Sequence, residues 1–330
     1  MDKSHSFDYK NGVIIVLTVV TTVLLTFFLI GSKDPGDVNE RRNSVPNQTI
    51  SVPVPSFVKF CDLNINLDRL DMRERFDREI NVFTYFHSTT LMYIKKANRY
   101  FPIIEPILQK NGIPDDFKYL CVIESNLDTR ALSPAKAAGL WQFMESTARD
   151  YGLEIRDEVD ERYHIEKATE AACRYLNDSY YRYGDWVNVA ASYNAGIAKI
   201  SSEMVKQQVD NAFDLLLVSE TSRYVFRLMA IKEIFQNPQK YGFILKRENL
   251  YPPVKVDYVD VTSGIFDFAS FAKDYGINYM ILKEYNVWLR DNKLMIPRDG
   301  RTYQIAIPRQ SDLYYDKNHI QVHNKDWVID

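Results

Sequence analysis

Between about Phe57 and Gly242, apolar residues return at helical intervals, and the runs are closed by Gly or Pro. That pattern predicts one mostly helical domain. Leu70 to Tyr100 mixes charged and apolar residues at helical spacing. Gly112-Ile113-Pro114 then breaks the chain, and Asp115 or Asp116 can cap the helix that follows. Further helices are predicted over Leu140–Tyr151 (closed by Gly152), Ile165–Tyr183 (closed by Gly184), Trp186–Tyr193 and Glu220–Phe235. After Tyr251-Pro252-Pro253 the texture changes. Val254–Val261 alternates as a strand, Ile265–Tyr275 and Tyr279–Leu289 read as helices, and Tyr303–Pro308 reads as a strand again. This β-α-α-β order makes a small module of its own. The end, 311–330, is a tail that admits one more strand.

Composition narrows the function. A net charge of -3 leaves no basic footprint, so nucleic acid is not an expected partner. Apolar content of 46% supports a real core rather than disorder. Among 330 residues there are 22 Tyr, whose flat ring and polar tip suit sugar-binding surfaces as well as core edges. Cys61, Cys121 and Cys173 lack metal-ligand spacing and are expected to be small buried hydrophobes. His319 and His323 flank Ile320-Gln321-Val322, which reads as a strand, and no metal or organic cofactor is expected.

The stretch from Val13 to Ile30 has no charge and, as a helix, would span roughly 27 Å, close to a bilayer core. Residues 12–31 are therefore expected to be a transmembrane anchor or uncleaved signal, preceded by a short tail over 1–11. Leu29-Ile30-Gly31-Ser32 resembles a bacterial lipoprotein processing site with Ser in place of the lipidated Cys, which favours an uncleaved anchor. Residues 32–56, punctuated by Pro35, Pro46, Pro53 and Pro55, read as a tether.

Glu124 carries the chemistry. It follows Phe117, Leu120 and Cys121 at spacings of 7, 4 and 3, which places a carboxyl on an apolar helix face. Desolvation there favours the neutral acid and equips it to donate a proton. Breaking a glycosidic bond ordinarily needs a second carboxylate, either to activate water or to attack the sugar. None of comparable standing accompanies Glu124: Glu145 lies on the Trp141 helix, and Asp157, Glu158, Asp160 and Glu161 read as a solvated charged loop. A single acid suffices if a hydroxyl of the substrate is the nucleophile.

Glu124-Ser125, Gly139-Leu140-Trp141-Gln142, Tyr193-Asn194 and Tyr224 resemble, in order, the four signature motifs of soluble-lytic-type transglycosylases. These are peptidoglycan lyases with a goose-type lysozyme fold, and the resemblance is closest to the membrane-bound murein transglycosylase D subfamily. Gly112-Ile113-Pro114, Tyr151-Gly152-Leu153, Asp160-Glu161-Arg162 and Lys240-Tyr241-Gly242 match as well, and Ser192 stands where that family has Ala. The resemblance implies a mainly α chain: a lysozyme-like catalytic domain over 57–245, a small α+β LysM-like module over 251–310, and the amino-terminal transmembrane helix. It implies that Glu124 protonates the oxygen between N-acetylmuramic acid and N-acetylglucosamine and then takes the proton of the muramyl 6-hydroxyl. Ser125 and Gln142 would orient the sugar, Tyr193 would contact the N-acetyl group or the developing cation, Asn194 would support its loop, and Tyr224 would position Glu124. Trp141 reads equally as core or as sugar platform. The implied partner is the peptidoglycan glycan strand, in the bacterial envelope, with the catalytic domain in the periplasm. The rival readings are a hydrolytic muramidase and a non-catalytic wall-binding protein.

Overall fold

The computed structural model of the chain describes residues 50–330. The expected anchor at 12–31 and most of the expected tether lie outside them. Among the described residues, no helix is long and apolar enough to cross a membrane. The last tether residues, from Val52, pack onto the folded body: Val52 is buried, its N–H donates to Asn81 Oδ1 at 3.2 Å, and Val54 O accepts from Arg73 Nη2.

The chain enters through the antiparallel hairpin β1 (Phe57–Phe60) and β2 (Leu63–Asn66). Helices α1 (Leu70–Tyr85) and α2 (His87–Lys110) follow, separated at Phe86, and account for the helical spacing read over 70–100. The break after Gly112-Ile113-Pro114 is as expected. A 3-10 turn over Asp115–Lys118 leads into the short helix α3 (Tyr119–Ser125). The predicted helix over 140–151 is confined to α4 (Glu145–Asp150), because the residues before it turn back on themselves: Ala138 and Phe143 exchange N–H···O bonds of 3.0 and 3.2 Å. After the hairpin β3 (Ile155–Arg156) and β4 (Val159–Asp160) come α5 (Ile165–Tyr183) and α6 (Trp186–Ala195), close to prediction. Helix α7 (Ile197–Gln207) was not predicted, and α8 (Ser219–Gln236) was.

Helix α8 is the central post. Along its length Tyr224, Val225, Phe226, Leu228, Met229, Ala230, Ile231 and Ile234 are buried in the core shared with α1, α3 and α6. Burying an aliphatic or aromatic side chain contributes about 1.5–3 kcal/mol before entropy is counted. The charges it carries inward are paired, as a low-dielectric setting requires. Lys232 Nζ meets Asp116 at 2.6 Å, and Arg223 clasps the fully buried Glu79 of α1 with bonds of 2.6 and 3.1 Å. The three Cys are buried and unpaired, as expected.

The carboxy-terminal module pairs β5 (Val256–Val261) with β6 (Tyr303–Pro308), antiparallel, and carries α9 (Phe268–Asp274) and α10 (Tyr279–Tyr285) between them. The β-α-α-β order is as predicted, with both helices shorter. Asp267 and Asn278 cap them through side-chain oxygens.

Two sequence expectations are corrected. The charged segment 157–161 is not a solvated loop: Glu158, Asp160 and Glu161 are buried and paired with Arg156, Arg162 and Lys167. The end of the chain forms no strand. Ile320, Trp327 and Val328 return to the main core, Trp327 Nε1 donates to Phe235 O at 2.9 Å, and His323 Nε2 lies 2.9 Å from Glu105. That tail is a strap across the helical body.

Candidate active site

Helix α3 has only seven residues, six of them buried, with Glu124 the half-buried exception. It stops at Asn126, which adopts the left-handed conformation (φ 56) and accepts a hydrogen bond from Tyr93 Oη. Glu124 therefore stands in the last turn, half-buried beside buried neighbours. Burial pushes its carboxyl above the ordinary range; the bond from Tyr224 and the charge of Arg227 act against that, and Glu220 adds to it.

Tyr224 comes from the middle of α8, itself almost completely buried, and its Oη donates to Glu124 Oε1. Burial and the neighbouring carboxyl hold that phenol well above its usual pKa, so it remains a neutral donor. Tyr193, at the end of α6, donates to the Trp141 carbonyl at 2.8 Å; its phenol too is raised, first by burial and then by Glu124. Asn194 Oδ1 accepts from the buried Thr221 Oγ1 at 2.8 Å, which ties the end of α6 to the first turn of α8. The acid and both phenols thus stand on three helices that share one core.

Gln142 arrives differently. It sits at the tip of the 138–143 hairpin with a positive φ of 50, and its Nε2 donates to Gly139 O at 2.9 Å. Gly139 has φ +75, and a Cβ there would lie 1.9 Å from the Arg162 carbonyl oxygen. No other residue fits. Arg162 forks onto Asp160 with bonds of 3.0 and 2.7 Å, and its Nη1 reaches Lys136 O and Phe143 O at 2.9 and 3.3 Å. In the sequence Arg162 is visible only as part of a matching phrase, and Asp160 only there and in the charged segment 157–161.

Two expected residues are turned inward. Ser125 is buried, and its Oγ donates to Cys121 O at 2.8 Å, so its hydroxyl serves its own helix. Trp141 is fully buried, with Nε1 donating to Thr169 Oγ1 at 2.9 Å, which decides for core over sugar platform. Sequence reasoning missed Thr221 and Arg227. Arg227 lies one turn beyond Tyr224 on α8, so a periodicity count from that tyrosine points to it. A cavity of about 220 Å³ opens between the helical body and the carboxy-terminal module, lined by Tyr100, Tyr163, His164, Tyr258 and Trp288; none of Glu124, Gln142, Tyr193 or Tyr224 borders it.

Residues 101–214 match the family described as Transglycosylase SLT domain, and residues 257–311 match the Soluble lytic transglycosylase C-terminal LysM-like domain. The chain carries an SLT transglycosylase domain followed by a LysM-like domain, as the four motifs and the β-α-α-β module led us to expect. Among curated proteins it is homologous to the membrane-bound lytic murein transglycosylase D of Escherichia coli (strain K12), 29% identical over 208 residues that cover 59% of this chain and 45% of that protein. The protein of the same name from strain O6:H1 matches to the same extent. The chain thus spans under half the length of these relatives. Among solved structures it is similar to the 70 kDa soluble lytic transglycosylase of Escherichia coli (16% identity, TM-score 0.38, 49% of this chain and 30% of that one). It is also similar to an inactive variant of the lytic transglycosylase Slt from Pseudomonas aeruginosa (20% identity, TM-score 0.36, 41% and 24%).

Proposed function

We propose that this protein is a peptidoglycan lytic transglycosylase that cleaves the bond between N-acetylmuramic acid and N-acetylglucosamine without consuming water. The observation that carries this reading is the pairing of one desolvated carboxyl, Glu124, with a buried neutral phenol, Tyr224, inside an SLT domain. Glu124, protonated, gives its proton to the linking oxygen as the bond to the muramyl anomeric carbon breaks. The resulting carboxylate accepts the proton of the muramyl 6-hydroxyl, whose oxygen closes on that carbon. The acid is regenerated and a 1,6-anhydro end is left. Tyr224 holds Glu124 in place through both protonation states, and the Arg227 charge stabilises the carboxylate midway. Tyr193, Asn194 and Gln142 line the sugar subsite.

In this proposal the SLT domain extends over 57–245 and the LysM-like module over 251–310. Residues 12–31 anchor the chain so that the catalytic domain faces the periplasmic cell wall. A membrane-bound murein transglycosylase among the relatives supports that envelope location. The test is mass spectrometry of products from purified sacculi. Muropeptides with anhydro ends and no reducing ends are expected; reducing ends alone would establish hydrolysis instead. Hydrolysis is the rival course, and it would need a second carboxylate to activate water.

A further inference from the structure

The LysM-like module is built into the catalytic domain. Its hydrophobic core, formed by Phe268, Leu282, Trp288, Leu294, Tyr303 and Ile305, also contains Ala138, Val159 and Tyr163 of the SLT domain, the first two fully buried. Ala138 is the base of the hairpin that presents Gln142. The segment after α10 adds to β4: Asp160 N–H donates to Trp288 O at 2.9 Å, Arg290 N–H donates to Glu158 O at 2.8 Å, and Val159 bridges Leu289 in antiparallel register. Glu158 also accepts from the Met295 amide at 2.9 Å. On either side, Arg290 lies over the Tyr163 ring at 4.3 Å and Arg130 meets Glu284 at 2.6 Å. A module that served only to hold glycan at a distance would need none of this.

From the module the contacts lead straight to the sugar-binding hairpin. The residue whose backbone pairs with Trp288 is Asp160, and Asp160 holds the Arg162 guanidinium by two bonds. Arg162 then fixes both legs of the hairpin, at Lys136 O and Phe143 O, while its own carbonyl sits where only Gly139 can pass. The hairpin tip receives Tyr193 Oη at the Trp141 carbonyl. Resting on the transglycosylase reading above, we propose that Asp160 and Arg162 are positioning residues for the hairpin carrying Gln142, and that the LysM-like module acts on turnover through them as part of the active-site scaffold.

The test uses the full chain. Arg162→Lys keeps the charge and removes the planar fork that reaches Asp160 and the two carbonyls together. Arg290→Ala, at an exposed position, loosens the module's grip on Tyr163 and keeps the question decidable where the buried change does not fold. Two readouts are taken: amide hydrogen exchange at Ala138 and Phe143 against amides of α5, and kcat and KM on short, soluble, uncross-linked glycan strands, for which wall tethering has no value. In Arg162→Lys we expect faster exchange at the two hairpin amides with α5 unchanged, and a fall in kcat of about tenfold or more with KM within about twofold, since small misplacements are costly in the transition state. Arg290→Ala should move both readouts in the same direction by less. Unchanged hairpin exchange, or loosened exchange with wild-type kcat, overturns the proposal. A wild-type protein inert on every glycan would refute the transglycosylase reading, while the exchange readout would still decide whether the module holds the hairpin.

Discussion

Glu124 and Tyr224 stand on helices whose apolar faces run into a single core, while Gln142 stands on a hairpin whose shape is fixed by groups far along the chain. On the helical side each functional group inherits its place from neighbours three or four residues away, and the tie that closes it, Tyr224 to Glu124, joins two already rigid elements. On the hairpin side nothing local suffices. Gly139 must be in the left-handed region, Arg162 must cross from the β3–β4 hairpin, and Ala138 must sit in the core of the LysM-like module. One side is therefore robust to single contacts and sensitive to chemistry. The other is sensitive to geometry, down to a single methyl group at Gly139.

The sharpest test of the helical side is Glu124→Gln, which keeps shape and removes the proton. Turnover should fall by ~1,000-fold, the scale of losing a general acid. Stability should move the other way. The folded state raises the Glu124 pKa, so ionising it there costs stability as pH rises from the unfolded-state pKa through the folded one. The variant should melt higher than wild type above the folded pKa, and the advantage should vanish as pH falls below the unfolded value. Calorimetry across pH checks this. A variant less stable than wild type at neutral pH would mean that the Tyr224 bond outweighs desolvation.

The matching test of the hairpin side is Gly139→Ala. A single methyl group meets a backbone carbonyl at 1.9 Å with φ at +75, and neither can move without disturbing Arg162. A loss of about 3 kcal/mol in stability is expected from denaturant unfolding. Turnover should fall with it even at temperatures where the protein is folded. If Gly139→Ala folds and works normally, the hairpin is not a rigid partner of the helical side.

These two sides also differ in how much the sequence reveals. The helical domain, the position of Glu124 on an apolar face and the β-α-α-β module are all written in local periodicity, and they appear in the structure. The predicted helix over 140–151 takes in half of the 138–143 hairpin; Leu140, Trp141 and Phe143 are buried there by folding over the core. The segment 157–161 reads as solvated because charge density is local information, whereas the backbone at 288–290 that covers it lies about 130 residues further on. The carboxy-terminal strap is hidden for the same reason: Trp327 packs against Phe101 of α2 and Phe235 of α8, more than 80 residues away. Ser125 was chosen by its place in a motif, and only the fold shows its hydroxyl turned inward.

A smaller effect separates positioning from proton transfer within the helical side. Tyr224→Phe removes the bond that lowers the Glu124 pKa and leaves burial, which raises it, unopposed by that donor. The acid should stay protonated to higher pH, so the alkaline limb of the pH–rate profile should move up. Turnover at its optimum should drop about tenfold, the worth of one charge-assisted hydrogen bond. An alkaline limb that moves down would show that Tyr224 does not stabilise the carboxylate.

The smallest expected effect is the one that decides between the two reaction courses. Glu220 is exposed, in the first turn of α8, and its negative charge opposes ionisation of Glu124 from a distance. If the muramyl 6-hydroxyl is the nucleophile, Glu220 has no step to perform. Glu220→Gln should then leave kcat within about threefold, because an exposed charge is strongly screened, and should move the alkaline limb slightly down as Glu124 loses a like-charged neighbour. If water is the nucleophile and Glu220 is the carboxylate that activates it, the same change should cost about a hundredfold or more. The products of the variant sharpen the reading. Anhydro ends at an undiminished rate leave Glu124 as the only carboxyl the chemistry uses, and place the whole burden of geometry on the phenols and the hairpin around it.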